Sequence, residues 1–175
     1  AIVSLVRAFE GELGEQATVG IGHPGAISPA TGRIKNANST WLNDRPHAAD
    51  LEGRLGRPLG FGSDADCFAL SEATDGSARG LEIVFGVILG TGTGGGVVVR
   101  GRALTGLNAI SGEWGHNPLP WPEPGEWPGP PCYCGRTGCV ETFLSGPGMV
   151  RDHRESTGES REAPEIARRA ERYFA

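Results

Sequence analysis

Apolar residues recur at helical spacing at the start of the chain. Ile2, Leu5, Val6, Phe9 and Leu13 fall on one face, and Gly14 supplies a stop. The period then shortens. A strand is predicted over 18–22, ending in the turn His23-Pro24-Gly25, and Ser28-Pro29-Ala30-Thr31-Gly32 forms a second turn. Asn36, Asn38, Ser39 and Trp41 follow in a polar loop. Asparagines there serve as turn formers, and beside a pocket their amides both donate to and accept from sugar hydroxyls. His47 to Leu55 predicts a short helix closed by Gly56, and 58–61 a short strand. Ser63-Asp64-Ala65-Asp66 then opens a helix that runs through Cys67, Phe68, Leu70 and Ala73. Two readings of those aspartates stand side by side. They cap the helix, or a carboxylate held between a strand and a helix is placed to act as a general base.

The composition changes after the loop 75–80, and a domain boundary is expected near Gly80. The run Ile83-Val84-Phe85-Gly86-Val87-Ile88-Leu89 predicts a buried strand, followed by a glycine turn over 90–96 and a second strand over 97–99. Gly90, Gly92 and Gly95 satisfy G-x-G-x-x-G. A dinucleotide-binding loop should open a helix, however, and a β-branched run follows instead. There is no Gly-Lys-Ser/Thr for a Walker loop. What remains is either a plain hairpin or a strand–turn–strand whose backbone N–H groups and threonine hydroxyls could hold phosphate oxygens.

The charge balance narrows the partners. Net charge is -5 and no basic run occurs, which argues against nucleic acid or an anionic membrane surface. No apolar run is long enough to span a bilayer. Nothing reads as a secretory signal, so a reducing, cytoplasmic setting is the default expectation. Glycine is the outlier, 29 of 175 residues without a collagen-like period, clustered at the ends of apolar runs. The chain starts at Ala1 and its only methionine is Met149, so either the start has been removed or the chain is a fragment.

Candidate chemistry concentrates in one stretch. Gly112-Glu113-Trp114-Gly115-His116 precedes Cys132-Tyr133-Cys134-Gly135-Arg136-Thr137-Gly138-Cys139-Val140-Glu141. Three thiolates and an imidazole, from Cys132, Cys134, Cys139 and His116, complete a tetrahedral set for a structural zinc. A disulfide is the alternative, but Cys132 and Cys134 are too close in sequence for an easy one. Glu113 and Glu141 interleave with these ligands, and a metal joining the two segments would shape a polar pocket around both. Trp114, Trp121 and Trp127 either pack the pocket wall or shield the metal. Cys67, far upstream, reads as a small buried residue.

These motifs resemble the ROK family of bacterial sugar kinases and sugar-responsive repressors. The resemblance runs from about Thr18 to Gly148. Three stretches look most like fructokinases of the manno(fructo)kinase kind: 35–43, 113–121 and 131–135. It implies an actin-like, two-domain α/β fold of RNase H-like halves, incomplete here, with sugar and ATP in the cleft between them. Residues 1–79 would be part of the N-terminal half, and 80–175 the start of the C-terminal half with the zinc loop 112–141. Asp64 falls on the family's catalytic aspartate. Gly25, Asn38, Glu113, His116 and Glu141 match sugar-contacting positions, with His116 binding zinc through its other ring nitrogen. Thr91, Gly92 and Thr93 match the second phosphate loop of the ATP site, and Mg²⁺ would accompany the nucleotide.

The expected function is therefore an ATP-dependent hexose kinase, fructokinase-like, with the 175 residues alone inactive. N-acetylglucosamine, glucose and mannose remain alternative substrates. The competing class is the sugar-sensing part of a repressor, which would bind nucleic acid only if a further N-terminal segment supplied a DNA-binding module. A homodimer is an open expectation.

Overall fold

The computed structural model of the chain describes residues 1–174. Two compact units emerge from its contacts: 1–84 with 96–111, and 85–95 with 112–175.

In the first unit, helix α1 (Ile2–Leu13) ends where predicted, with Gly14 left-handed and its N–H bonded to the Glu10 carbonyl. Its apolar stripe is not buried: Leu5, Phe9 and Leu13 are each more than half exposed. An ion pair between Glu10 and Arg57 ties α1 to the residue just past helix α2 (His47–Leu55). Strand β1 (Gly20–His23) pairs in parallel with β4 (Gly60–Ser63), placing His23 opposite Ser63. Both strands sit about two residues later than the sequence pattern suggested, because the pairing starts from the Val19 carbonyl, which accepts the Gly60 N–H. Between them, β2 (Ala26–Ile27) and β3 (Ile34–Lys35) form a small antiparallel ribbon.

Helix α3 (Asp64–Thr74) starts directly from β4. Its inner face carries Ala69, fully buried against Val84 and Val98, with Leu70, Ala73 and Ala78 around them. Val84 and Val98 come from β5 (Ile83–Leu89) and β6 (Thr93–Val99), which form one sheet with β7 (Arg102–Ala103). The glycine turn is shorter than predicted. Gly94, Gly95 and Gly96 lie inside β6, so only 90–92 turn the chain. The reason is packing rather than turn chemistry. A Cβ on Gly96 would stand 2.6 Å from the Ala65 carbonyl oxygen and 2.9 Å from the Ala69 side chain, so glycine lets α3 lie directly on the strand.

Cys67 corrects another expectation, since it is exposed. Its sulfur lies over Gly22 and Gly62, which have no side chains to cover it.

The second unit holds most of β5 and the start of β6, and beyond them its regular structure is helical: α4 (Val140–Phe143), α5 (Gly146–Thr157) and α6 (Ala163–Phe174). Segments 115–119 and 138–141 are laced together instead. Leu119 donates to Gly138, Val140 to Asn117 and Glu141 to Gly115, all at 2.8–2.9 Å. Among the described residues no helix is long and apolar enough to cross a membrane.

Candidate functional site

The first unit supplies Asp64, Gly25 and Asn38. Ser63 is the N-cap of α3, its hydroxyl accepting the Asp66 N–H at 3.1 Å. The capping role is thus filled by Ser63 and does not occupy Asp64. The Asp64 carboxylate accepts the adjacent Ala65 N–H at 2.9 Å and remains exposed at the end of the strand. It stands at the N-terminal end of α3, over the positive end of the helix dipole. Gly25 is left-handed (φ 71°), and a Cβ there would overlap the Lys35 carbonyl, so only glycine lets the β1–β2 turn fold down onto β3. Asn38 is exposed, its Oδ1 accepting the Ser39 N–H.

Asn43 went unnoticed in the sequence pattern. Its side-chain amide accepts from the Ala37 N–H at 2.9 Å and donates to the Ala37 carbonyl at 3.0 Å. It therefore holds the loop that presents Asn38. The signal available was only another asparagine in an Asn-rich loop.

The second unit gathers the cysteine–histidine cluster. The backbone lacing of 115–119 against 138–141 carries His116 to Cys139. The knuckle 132–136, closed by Cys132 N–H to the Arg136 carbonyl at 2.8 Å, brings the other two thiols. The ligand atoms of His116, Cys132, Cys134 and Cys139 all lie within 4.8 Å of one another. Cys134 and Cys139 sulfurs are 3.6 Å apart, and Cys132 Sγ is 3.5 Å from His116 Nδ1. A tetrahedral zinc with bonds of ~2.3 Å to sulfur and ~2.0 Å to nitrogen would set these edges at about 3.8 and about 3.5 Å. The residues fit the ion. Burial and then the hydrogen bonds of Cys134 and Cys132 push the Cys139 thiol up to about 12, whereas the Arg136 backbone N–H lowers Cys134. A divalent cation reverses that balance by binding thiolates and displacing their protons.

The other ring nitrogen of His116, Nε2, meets the Tyr133 hydroxyl at 3.0 Å, with the two rings edge to face. A hydroxyl is therefore already accommodated at the nitrogen that faces away from the sulfurs. Most of the Tyr133 ring faces solvent. Loss of water at its hydroxyl, then the charges of Glu141, Cys132 and Glu113, push the phenol up to about 12. Both carboxylates thus act on the same small region.

Glu141, in the first turn of α4, has one oxygen on the glycine turn. Its Oε2 accepts the Thr93 N–H at 2.8 Å, and the Thr93 hydroxyl donates to the Leu144 carbonyl at 2.9 Å. Thr91 is exposed, Gly92 half-buried and Thr93 buried. Of the tryptophans, Trp114 packs edge-on against Phe85 and donates to the Gly94 carbonyl at 2.9 Å. Trp121 and Trp127 neither line a wall nor shield the cluster, since both project from the proline-rich loop into solvent.

The ROK family model matches residues 1–173. The chain belongs to the ROK family. An N-acetyl-D-glucosamine kinase of Salmonella gallinarum is 40% identical over 170 residues, 95% of this chain and 56% of the relative. The ROK hexokinase from Thermus thermophilus superposes with a TM-score of 0.75 at 34% identity, covering 91% of this chain and 52% of that one. A ROK family glucokinase from Streptomyces griseus, solved with glucose and AMPPNP, gives 0.67 at 27% identity, over 90% of this chain and 50% of that one. The chain thus spans about half the length of the relatives it matches. The actin-like α/β fold anticipated from the motifs is the fold of this ROK chain. Several curated relatives at 39–40% identity are N-acetyl-D-glucosamine kinases, not the fructokinases that the motifs suggested.

Proposed function

We propose that this ROK chain carries the base, the sugar contacts and one phosphate turn of an ATP-dependent kinase whose substrate is N-acetylglucosamine. The observation that carries the reading is the 40% identity to an N-acetyl-D-glucosamine kinase over 95% of the chain. The position of Asp64 agrees with it. Asp64 takes the proton from the attacking sugar hydroxyl, and the rest of the transfer depends on alignment and charge neutralisation. Gly25, Asn38, Glu113, His116 and Glu141 contact the sugar. Thr91, Gly92 and Thr93 contact the nucleotide phosphates, whose charge Mg²⁺ neutralises when bound. His116, Cys132, Cys134 and Cys139 hold a structural zinc, which fixes the segments bearing Glu113 and Glu141. Residues 1–79 and 80–175 belong to the N-terminal and C-terminal RNase H-like halves, and the setting is cytoplasmic.

A sugar-sensing repressor is the second reading. A sensor needs neither a base nor a phosphate turn, so Asp64 together with 90–93 favours the kinase.

The test is sugar-dependent ADP release by the full-length protein with N-acetylglucosamine, glucose, mannose and fructose. N-acetylglucosamine should give the highest kcat/KM, by about tenfold or more, the discrimination available to a pocket that fills a substituent-sized space. A preference for fructose would return the substrate to the manno(fructo)kinase type. No ADP release with any of the four would favour the repressor.

A further inference from the structure

The oxygen of Glu141 occupies a backbone donor of the turn assigned above to phosphate. The contact is close. Besides the 2.8 Å bond from Thr93 N–H, a Cβ on Gly92 would stand 2.6 Å from the same Oε2. The carboxylate therefore lies flat against 92–93, a place where any residue but glycine would push it off. The segment following Glu141 holds the turn too. Leu144 accepts the Thr93 hydroxyl at 2.9 Å, and Gly146 N–H donates to the Gly90 carbonyl at 2.8 Å. Turn and carboxylate, 48 residues apart in sequence, thus meet through a single side-chain hydrogen bond.

A backbone N–H bonded to a carboxylate is a charge-assisted anion contact. A phosphate oxygen approaching Thr93 competes for that donor and meets a negative charge alongside it. Hydroxyl groups donating to the same carboxylate spread its charge and draw it from the turn. Resting on the assignment of Glu141 to sugar and 91–93 to phosphate, we propose that Glu141 is a positioning residue that makes nucleotide binding conditional on sugar. Without sugar its carboxylate plugs the Thr93 N–H. Sugar hydroxyls withdraw it and open the turn to phosphate.

The experiment is calorimetric titration of Mg²⁺–AMPPNP into the full-length protein, with and without saturating N-acetylglucosamine, for wild type, Glu141→Gln and Glu141→Asp. Sugar should tighten nucleotide binding by wild type about tenfold, within the range of about 5–150-fold usual for coupled sites. Glu141→Gln keeps the acceptor oxygen but removes the charge, so its sugar-free affinity should rise toward that of sugar-bound wild type. Glu141→Asp withdraws the charge by one methylene and should fall between the two, which covers the case in which the glutamine variant does not fold. The sugar-free affinity decides the matter, because it does not require a variant still able to bind sugar. A purely supporting role for Glu141 predicts the opposite sign, weaker nucleotide binding in both variants, and that result overturns the proposal. So does wild-type nucleotide binding that ignores sugar, which leaves the kinase reading intact. Absence of nucleotide binding by wild type overturns both.

Discussion

Asp64 and Glu141 are both carboxylates in the first turn of a helix, yet they are held in opposite ways. Asp64 begins an 11-residue helix with a serine cap, fed by a strand in a parallel pair and packed on a small core through Ala69. Glu141 sits in a helix of 4 residues whose N-cap, Cys139, makes no side-chain cap bond. The Cys139 side chain belongs instead to the cluster of thiols and imidazole, and backbone bonds to 115–119 do the rest. One carboxylate is placed by regular secondary structure, the other by side chains converging from distant parts of the sequence. The two should therefore fail differently when perturbed.

The largest difference should come from removing the metal ligands. Cys139→Ser takes out the cluster's most buried thiol and is expected to abolish zinc binding by the full-length protein. The expected stability loss is more than about 4 kcal/mol, because a structural metal at such a cluster contributes its binding energy to folding. Metal analysis and limited proteolysis of the 118–138 loop measure it, while hydrogen exchange over 64–74 should stay at its wild-type level. A purified protein with no zinc, or exchange that rises equally in both regions, would erase the contrast.

Next comes chemistry at the other carboxylate. Asp64→Asn should lower kcat by about 10²–10⁴, the range for a lost general base, with sugar affinity and melting temperature nearly unchanged. Near-normal turnover would leave Asp64 with only a helix-dipole role. Ser63→Ala removes the cap that holds the first turn and should cost about 1 kcal/mol in a denaturant melt. A loss of the size seen for Cys139→Ser would mean that α3 is less self-supporting than its packing implies.

The same contrast explains what could be read from the sequence. Helices α1, α2 and the start of α3 follow from local apolar spacing with Gly14, Gly56 and Ser63 as punctuation, and the structure keeps them. The four members of the cluster were legible because ligand chemistry is confined to few residue types. Gly96 misled, since a glycine required by the close approach of α3 looks in sequence like one required by a turn. Cys67 misled because its burial depends on what lies opposite, and two glycines lie there. The bond from Thr93 to Glu141 had no local signal at all. It exists only because backbone lacing and the knuckle carry α4 to the turn.

The smallest effect is expected beside Asp64, at Asp66, and it tests how completely secondary structure accounts for the first region. Asp66 donates its N–H to the Ser63 cap, but its own Oδ1 is buried without a hydrogen-bond partner. Burial lifts its carboxyl above the usual range; the Ser63 hydrogen bond and His23 oppose the shift, and the charge of Asp64 adds to it. A carboxyl whose folded value is raised binds its proton more tightly folded than unfolded. Its contribution therefore favours folding at low pH and is lost as pH rises from the unfolded value through the folded one. Asp66→Asn removes the ionisation and should leave stability at low pH little changed while raising it at neutral pH. The gain should be less than about 1 kcal/mol, the low end for stabilising changes, because the helix dipole offsets part of the cost by favouring a negative charge there. Denaturant melts of the full-length protein at pH 4 and pH 7 measure the difference. If the variant is less stable than wild type at pH 7 but not at pH 4, the dipole outweighs burial, and the first turn of α3 holds Asp66 as it holds Asp64.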